Sequence, residues 1–469
     1  MNSRTRKQIE EWHEADLHQN IIDTLEQIPA SKRDYETIGL LARAYNNNSE
    51  YAKAAELLES VGEEGEDDAV WNFRMGYAMF YLDNNAEALR FFNKANELDP
   101  EDEDTLYFIR QCNIYIPLTQ RVDRFRNWFT ENEAKLSEMI SPDSQEDAEE
   151  LIEFIREGTS MISDNMNYNL GGDHEFTFSV EGWPDLFILY PYIISRMPES
   201  RKANWKFSPF NKGTDRPFGF RMFGEQIDTA RIMVGASFVE ETGRFRISYY
   251  DRNLSSLSDR QSDQAMWIIL ENTLGEGVSF KYIDMIEQAS APEADMIPLP
   301  SLRNHIRTTL EAHEQKFFEN PKDIFSTYRM NPQESEELRF DVITGSTCFN
   351  PILADYYNDS TDIFDHINGF GAMAVFITFA NPDVNDILSL RHDIEDKISA
   401  ELLEPMNLGM LLGGATGTTN SYIDLIVYDY ITFINSVSEI LKQYPEISFY
   451  LSEFRQHSGV IRLTEGVAD

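Results

Sequence analysis

Cysteine is scarce in this sequence. The 469 residues include only two cysteines, Cys112 and Cys348, which lie far apart along the chain. A chain of this size with two distant thiols indicates a reduced, intracellular environment, because proteins of oxidising compartments use cysteine for disulfides. We therefore expect a cytoplasmic protein.

Long apolar runs are also missing. No stretch approaches the about 20 apolar residues that a helix needs to cross a bilayer. The first residues include several basic side chains, but no apolar run follows them, as it would in a secretory signal. The sequence predicts neither a membrane span nor a membrane partner.

Basic residues are few. The chain has 40 Lys and Arg against 81 Asp and Glu, which gives a formal net charge of −41. Such a field repels the phosphates of nucleic acids and anionic membrane surfaces, so neither is an expected partner. Two interpretations of the acidic surface stay open: it keeps the protein soluble, or it steers the protein toward a basic partner or mimics a nucleic acid.

The usual motifs for catalysis and for metal binding are absent. The eight histidines form no His-Glu-x-x-His or His-x-His pattern, and these are spacings that bind zinc. Gly345-Ser346-Thr347-Cys348 lacks the Gly-x-Ser-x-Gly elbow, and its apolar neighbours predict that Cys348 is a buried core thiol. The acidic cluster of Asp99, Asp102 and Asp104 lacks the glycine and the final glutamate of a calcium loop, and it falls at an expected turn between repeats. We expect no catalytic residue, no cofactor and no metal site.

One glycine-rich stretch, residues 409–419, partly matches a phosphate-binding loop. Gly409 and Gly414 have the Walker A spacing, and Thr416 stands where a magnesium-binding hydroxyl would be. Ala415, however, occupies the position of the lysine that reaches the β- and γ-phosphates. Nucleotide hydrolysis is therefore not supported. A flexible turn between strands is favoured, and an anion cradle made of backbone amides is the alternative.

What the sequence does contain is a repeat. Five pairs of similar residues recur at one constant interval: Leu41 and Met75, Ala42 and Gly76, Ala54 and Ala88, Leu58 and Phe92, and Val61 and Ala95. Small residues at the recurring positions let paired helices approach closely, where larger ones would overpack the contact. The interval and the pattern resemble the tetratricopeptide repeat, in which units of two antiparallel helices stack on one another. One departure is that Trp71 stands one position before the expected aromatic residue, which leaves Asn72 in its place.

The resemblance covers only the N-terminal region, residues 1–119. Residues 9–28 predict a helix, which belongs either to a degenerate leading repeat or to a capping pair. A third unit begins at Asp104, and Pro117 ends the pattern. Stacked repeats of this kind form an extended groove, so the resemblance implies binding of a peptide or a protein segment.

The candidate partner-contacting residues lie on the first helix of each of the two clear repeats. They are Arg43, Tyr45, Asn46, Arg74 and Tyr77. This assignment rests on the phase of the repeat.

The remaining chain predicts two α+β modules with mainly antiparallel sheets, at residues 120–292 and 293–469. A proline-rich linker is expected near residues 291–300, and a strand near residues 278–286. The triplet Tyr282-Ile283-Asp284 recurs as Tyr422-Ile423-Asp424, which suggests that one module is a diverged copy of the other. This part resembles uncharacterised bacterial α+β domains, some of them found near toxin–immunity systems.

The sequence therefore predicts a multidomain protein, a helical repeat array followed by α+β modules. We expect a non-enzymatic protein that binds a peptide or protein partner through the array. Two alternatives stay open: an acidic immunity or inhibitor protein that neutralises a basic toxin, and an enzyme of unfamiliar type with its site near residues 409–419.

Overall fold

The structure is a computed structural model that describes residues 3–100, 102–140, 148–164, 166–171, 174–198, 204–383 and 386–466. The chain divides into two compact units. The first unit contains Met1–Gln120, Asp365–Met373 and Tyr428–Asn435, and the second contains the rest. The predicted fold class is confirmed, because an N-terminal helical array is followed by strand-rich regions with mainly antiparallel sheets.

The first unit is an array of helices in which most helices pack against their neighbours along the chain. A 3₁₀ turn at Ala30–Lys32 separates the second helix from the third. The helices are α1 (Ser3–Glu14), α2 (His18–Glu26), α3 (Tyr35–Asn47), α4 (Tyr51–Glu59), α5 (Gly62–Gly65), α6 (Ala69–Tyr81), α7 (Asn85–Leu98), α8 (Glu103–Tyr115) and α9 (Leu118–Met139). The division between the units falls inside α9, after Gln120.

The repeat period is a property of the helices themselves. Helices α3, α6 and α8 each contain 13 residues, and each begins one period after the one before it. An aspartate precedes each of them, and the carboxylates of Asp34, Asp68 and Asp102 accept a hydrogen bond of 2.9 Å from a backbone amide in the first helical turn. Such N-caps satisfy amides that have no partner within the helix. The acidic cluster around Asp102 therefore does lie at a turn between repeats, as predicted.

The recurring small residues lie where helices touch. Ala42, Ala54 and Ala88 are fully buried. A Cβ atom on Gly76 would lie 2.8 Å from the ring of Phe92 on the next helix. Such a distance requires the aromatic ring to move, so this contact depends on the missing side chain.

One prediction about the beginning of the array needs correction. Residues 9–28 form two helices, α1 and α2, because the chain turns at Asp16, which has a left-handed φ of 56°. Ser49 and Asp83 make the equivalent turns with φ of 61° and 59°. Pro117 stands one repeat period after Asp83, and its ring cannot adopt a positive φ. The proline therefore changes the turn, and the next helix, α9, begins directly after it.

Later segments of the chain complete the far end of the first unit. The amide of Leu118 donates to the carbonyl of Gly371 at 2.9 Å. The buried side chain of Asn113 donates to the buried Asn368 at 3.1 Å. The array is therefore closed at this end by residues that come about 250 positions later, a separation that makes these contacts costly in loop entropy.

The rest of the chain alternates helices and short strands. Its helices are α10 (Ala148–Thr159), α11 (Leu186–Ser195), α12 (Asp259–Leu274), α13 (Glu276–Tyr282), α14 (Leu302–Ala312), α15 (Asn350–Tyr357), α16 (Asp362–Gly369), α17 (Ile387–Ile398, continued by a π-helix at Ser399–Leu403), α18 (Glu404–Met406) and α19 (Tyr430–Leu441). Its strands are β1 (Asn167–Gly171), β2 (Glu175–Ser179), β3 (Lys206–Ser208), β4 (Gly219–Met222), β5 (Glu225–Asp228), β6 (Met233–Val239), β7 (Arg244–Tyr250), β8 (Ile283–Gln288), β9 (Ile297–Pro298), β10 (Ser326–Arg329), β11 (Val342–Thr347), β12 (Met373–Ala380), β13 (Gly409–Gly417), β14 (Asn420–Val427), β15 (Tyr450–Glu453) and β16 (Val460–Arg462).

Two small sheets begin the second unit. Strands β1 and β2 are antiparallel, and β3 joins β2 in parallel. The sequence Gly171-Gly172-Asp173 predicts a hairpin-like turn between these two strands, and residues 172–173 lie outside the described part of the chain. Helix α9 covers this sheet, with the ring of Phe129 5.2 Å from that of Trp205. Strands β4 and β5 form a separate hairpin.

A four-stranded sheet of order β8-β7-β6-β9 shares one hydrophobic core with helices α12 and α14. The strand predicted at residues 278–286 is wrong in its first half, which is helix α13. Gly275, with φ of 92°, ends α12, and the chain then makes a second short helix before the strand begins at Ile283. The proline-rich stretch includes β9, which pairs with β6. Leu302 of α14 belongs to the same core. The boundary between the two predicted α+β modules, at residue 292, stays a prediction.

A seven-stranded sheet of order β10-β11-β13-β14-β12-β15-β16 forms the rest of the second unit. A buried ion pair lies against it. The guanidinium of Arg339 donates to both carboxylate oxygens of Asp424, at 2.5 and 3.1 Å, and both side chains are at most 1% exposed. The rings of Phe454 and Tyr422 lie 4.5 and 5.1 Å from the guanidinium carbon. The buried guanidinium of Arg339 depends on the carboxylate of Asp424, because a buried charge without its partner strongly destabilises the folded protein.

Replacing Asp424 by Ala is expected to lower the free energy of unfolding by about 3–5 kcal/mol, because it leaves Arg339 charged and buried without its partner. Asp284 occupies the same position in the other Tyr-Ile-Asp triplet but is partly exposed, 3.8 Å from Arg246. Asp284→Ala is therefore the matched control and should change stability by less than about 0.5 kcal/mol. Urea unfolding of both variants measures this, and equal losses would contradict the proposed importance of the buried pair.

Candidate functional site

The first helix of each repeat presents one face with an unusual set of side chains. The repeat period places Arg43 of α3 and Tyr77 of α6 at equivalent positions, and likewise Tyr81 of α6 and Tyr115 of α8. Tyr81, Tyr107 and Tyr115 are 44%, 49% and 54% exposed. We call Tyr77, Tyr81, Tyr107 and Tyr115 the tyrosine face.

Two of the predicted partner-contacting residues, Arg43 and Arg74, come together beside this face. Arg43 is exposed and Arg74 is partly buried. Burial, and then the nearby charge of Arg43, lowers the pKa of Arg74 to about 10, so both side chains remain charged at neutral pH. Among the described residues neither guanidinium makes a hydrogen bond or an ion pair. Gly39 gives Arg74 its space, since a Cβ there would lie 2.8 Å from Nη1.

Helix α1 adds a histidine to this region. Burial, followed by the charge of Arg43, lowers the pKa of His13. Its ring lies 5.5 Å from that of His18. The Nδ1 atom of His18 is buried and has no hydrogen-bond partner in the described part of the chain. We call His13, Arg43 and Arg74 the arginine cluster.

Tyr45 and Asn46 are placed differently from the two arginines. Tyr45 is 6% exposed, and its hydroxyl donates to Glu26 at 2.5 Å. Asn46 is 4% exposed, and its amide donates to the backbone carbonyl of Arg74 at 3.0 Å. Both side chains therefore connect helices inside the array, and their role in partner binding stays a prediction.

Tyr77 belongs to a chain of aromatic contacts along the tyrosine face. Its ring lies 4.7 Å from that of Tyr81 and 5.2 Å from that of Phe108. Tyr107 lies 5.3 Å from Phe108 in turn. The exposed Tyr81, Tyr107 and Tyr115 are not among the candidates that the sequence predicts, because the repeat pattern follows buried positions. The spacing of one repeat period between Tyr81 and Tyr115 is a sequence signal for these two residues.

The glycine-rich stretch is a strand, so the predicted turn is wrong. Strand β13 pairs with β11 on one side and with β14 on the other. Backbone amides of a central strand are used by the sheet ladder, and they cannot also surround a phosphate. The hydroxyl of Thr416, at the Walker-like magnesium position, accepts a hydrogen bond of 3.0 Å from Arg391. Neither a flexible loop nor an anion cradle exists here.

The glycines of β13 instead make room for a buried ion pair. Arg391 and Glu395 of α17 meet at 2.9 Å, with side chains 3% and 14% exposed. A Cβ on Gly414 would lie 2.4 Å from the carboxylate of Glu395 and 2.6 Å from the carbonyl of Tyr422. The absence of a side chain at Gly414 therefore lets α17 lie against the sheet.

Gly414→Ala is expected to lower the free energy of unfolding by about 1–3 kcal/mol, the usual cost of overpacking a core contact. Gly369→Ala is the control, because a Cβ at Gly369 meets nothing within 4 Å. Thermal and urea unfolding of the two variants should separate them clearly. A Gly414→Ala protein as stable as the control would refute the packing role of this glycine.

The second unit contains a small cavity of about 210 Å³, which we call the acidic pocket. Glu271 of α12 and Glu276 of α13 both line it. Glu276 is buried and accepts hydrogen bonds from the Ser179 hydroxyl at 2.6 Å and from the amides of Val180 and Asn211 at 3.0 and 2.8 Å. Glu271 has no such partner among the described residues. Burial first, and then the charge of Glu276, raises the pKa of Glu271 to about 7.

This raised pKa predicts a pH-dependent stability. Between the unfolded pKa near 4.5 and the folded value near 7, the folded protein binds more protons than the unfolded chain. The stabilising effect of protonated Glu271 is therefore complete at low pH and is lost as the pH rises through about 7. Glu271→Gln removes this effect. The stability of the variant relative to the wild type should increase from pH 5 to pH 8.

Glu287→Gln is the control for this prediction, because Glu287 is exposed on β8 and does not line the pocket. Urea unfolding at several pH values measures all three proteins. A stability difference for Glu271→Gln that is constant with pH, or that has the opposite slope, would contradict the prediction.

Three further features of the chain are the environment of Cys348, its possible metal ligands and the length of its apolar helices. Cys348 is buried as predicted, and burial raises the pKa of its thiol to about 12. Within the described ranges, no group of three or more His, Cys, Asp or Glu side chains is arranged to hold a metal ion. No helix among the described residues is long and apolar enough to cross a membrane.

Comparison with protein-family models and with curated protein sequences found no match to this chain.

Proposed function

We propose that the first unit binds a peptide segment of a partner protein through the arginine cluster and the tyrosine face. The resemblance to the tetratricopeptide repeat supports this proposal, because stacked helix pairs present extended surfaces that such segments can occupy. The regular spacing of α3, α6 and α8 gives the surface the same period as the repeat. The binding role is carried by chemistry on that surface.

The observation that carries the proposal is the arginine cluster. Arg43 and Arg74 are neighbouring cations without a carboxylate partner in the described chain, although acidic residues outnumber basic ones by 81 to 40. In such a chain two guanidinium groups without an ion pair are unexpected, because a carboxylate would give each a charge-assisted hydrogen bond. The charge of Asp68 acts on Arg74, but its carboxylate accepts hydrogen bonds from Tyr35 and Val70 instead. A carboxylate of the partner would supply that bond.

The tyrosine face defines the rest of the segment. Tyrosine offers a large contact area with little loss of side-chain entropy, together with a hydroxyl for hydrogen bonding. Three of its four tyrosines are more than 40% exposed. We infer that the partner segment combines an acidic side chain or a C-terminal carboxylate with apolar or aromatic side chains.

Selection from a random peptide library displayed on phage tests the proposal with the whole protein. The enriched peptides should share a carboxylate and apolar side chains. Arg43→Glu is expected to weaken the best peptide by about 10-fold or more, which corresponds to about 1.4 kcal/mol. Tyr115→Ala should weaken it as well, because it removes an exposed aromatic contact.

Arg90→Glu is the matched control. Arg90 is also exposed, but it lies on α7, the second helix of its pair, beside Glu87. The Arg90→Glu substitution changes the charge by the same amount as Arg43→Glu and should leave the affinity for the peptide unchanged. Peptides without carboxylates, or equal affinities for the Arg43→Glu and Arg90→Glu proteins, would refute the proposal.

The acidic inhibitor of a basic toxin remains a second candidate, and the net charge of −41 favours it. Binding of that kind would use the acidic surface and would weaken steeply with salt. It would not depend on Arg43. Co-purification with a basic protein encoded beside this gene, with Arg43→Glu binding as well as the wild type, would support the inhibitor over the peptide binder.

A further inference from the structure

The acidic pocket of the second unit has features of a ligand site that peptide binding by the first unit does not explain. Its volume is about 210 Å³. A cavity of about 150 Å³ holds benzene, and pockets for drug-sized molecules begin near 300 Å³. The acidic pocket therefore matches a small organic molecule.

Two polar groups at the pocket are buried without a partner. Ser279 is 2% exposed, and its hydroxyl makes no hydrogen bond within the described part of the chain. The same holds for Nε of Arg244, whose Nη2 donates to the carbonyls of Phe280, at 3.2 Å, and Ile283. Buried polar groups normally have partners, since leaving one unpaired is costly. An oxygen atom of a ligand could accept hydrogen bonds from both.

The remaining walls suit a positive charge and a hydrocarbon group. Phe187, Trp267 and Phe280 line the pocket, and the rings of Phe187 and Phe280 lie 5.2 Å apart. Glu271 contributes a carboxylate without a hydrogen-bond partner among the described residues. A carboxylate beside aromatic rings attracts an ammonium group by its charge and by cation–π interaction.

We propose that the acidic pocket binds a compact organic amine that also has a hydrogen-bond-accepting oxygen. The ammonium group lies against Glu271, and the oxygen accepts from the Ser279 hydroxyl and from Nε of Arg244. The hydrocarbon part packs against the aromatic walls. Glu276 stays outside this exchange, because its three hydrogen bonds already hold it to Ser179, Val180 and Asn211.

Isothermal titration calorimetry with the full chain at pH 8 tests the proposal with three probes of similar shape. Leucinol has both the amine and the hydroxyl, isoamylamine lacks the hydroxyl, and 4-methylpentan-1-ol lacks the amine. Leucinol should bind about 10-fold or more tightly than either of the other two, because each lost charge-assisted contact is worth about 1.4 kcal/mol or more. Equal affinities for leucinol and the alcohol, or no binding of leucinol, would overturn the proposal.

Three variants locate the binding. Glu271→Gln should weaken leucinol by about 10-fold or more, because it removes the charge while keeping the shape. Ser279→Ala should weaken leucinol but leave isoamylamine unchanged, since only leucinol has the oxygen. Glu287→Gln, at an exposed position outside the pocket, should bind like the wild type. Leucinol binding that is equal in all three variants would place the amine elsewhere and refute the assignment.

A loss of folding cannot imitate these results. Ser279→Ala serves as its own control. An unfolded protein would bind neither leucinol nor isoamylamine, whereas this variant is expected to lose affinity for leucinol alone. Thermal unfolding of each variant with and without leucinol gives the second readout. Leucinol should raise the midpoint for the wild type and for Glu287→Gln, and it should raise it less for Glu271→Gln.

Discussion

The close approach of paired helices at small residues is the constraint on which the first unit depends. Gly76 lies against the ring of Phe92, and fully buried alanines occupy the equivalent contacts. Because these contacts recur with the period of the repeat, the first helices of successive units present the same positions to solvent. The tyrosine face and the neighbouring arginines are therefore a consequence of how the buried residues are spaced.

Much of the first unit could be predicted from sequence, because its contacts are local and periodic. Of the predicted partner-contacting residues Arg43 is exposed, but the sequence could not show that Tyr45 and Asn46 are buried in the array. Exposed and buried positions of a helix are only one or two residues apart, so a small error in helix phase changes the assignment.

The second unit was harder to predict, because distant residues decide its local structure. The triplet Tyr-Ile-Asp occurs twice, yet Asp424 is buried against Arg339 and Asp284 is partly exposed. The glycines near residue 414 predict a turn, although they belong to a strand against which α17 packs closely. Glycine is used for both purposes, and only the tertiary neighbours distinguish them. The acidic pocket likewise collects residues from segments about 100 positions apart, from Val180 to Asp284.

The closure of the array by late segments has a consequence for synthesis of the chain. Asn113 emerges from the ribosome 255 residues before its partner Asn368. The far end of the array therefore lacks these contacts until most of the protein has been translated. The helices at the beginning of the array have no such delay, since they pack mainly on near neighbours along the chain. Folding of the first unit can thus start early at its N-terminal end and is completed only near the end of translation.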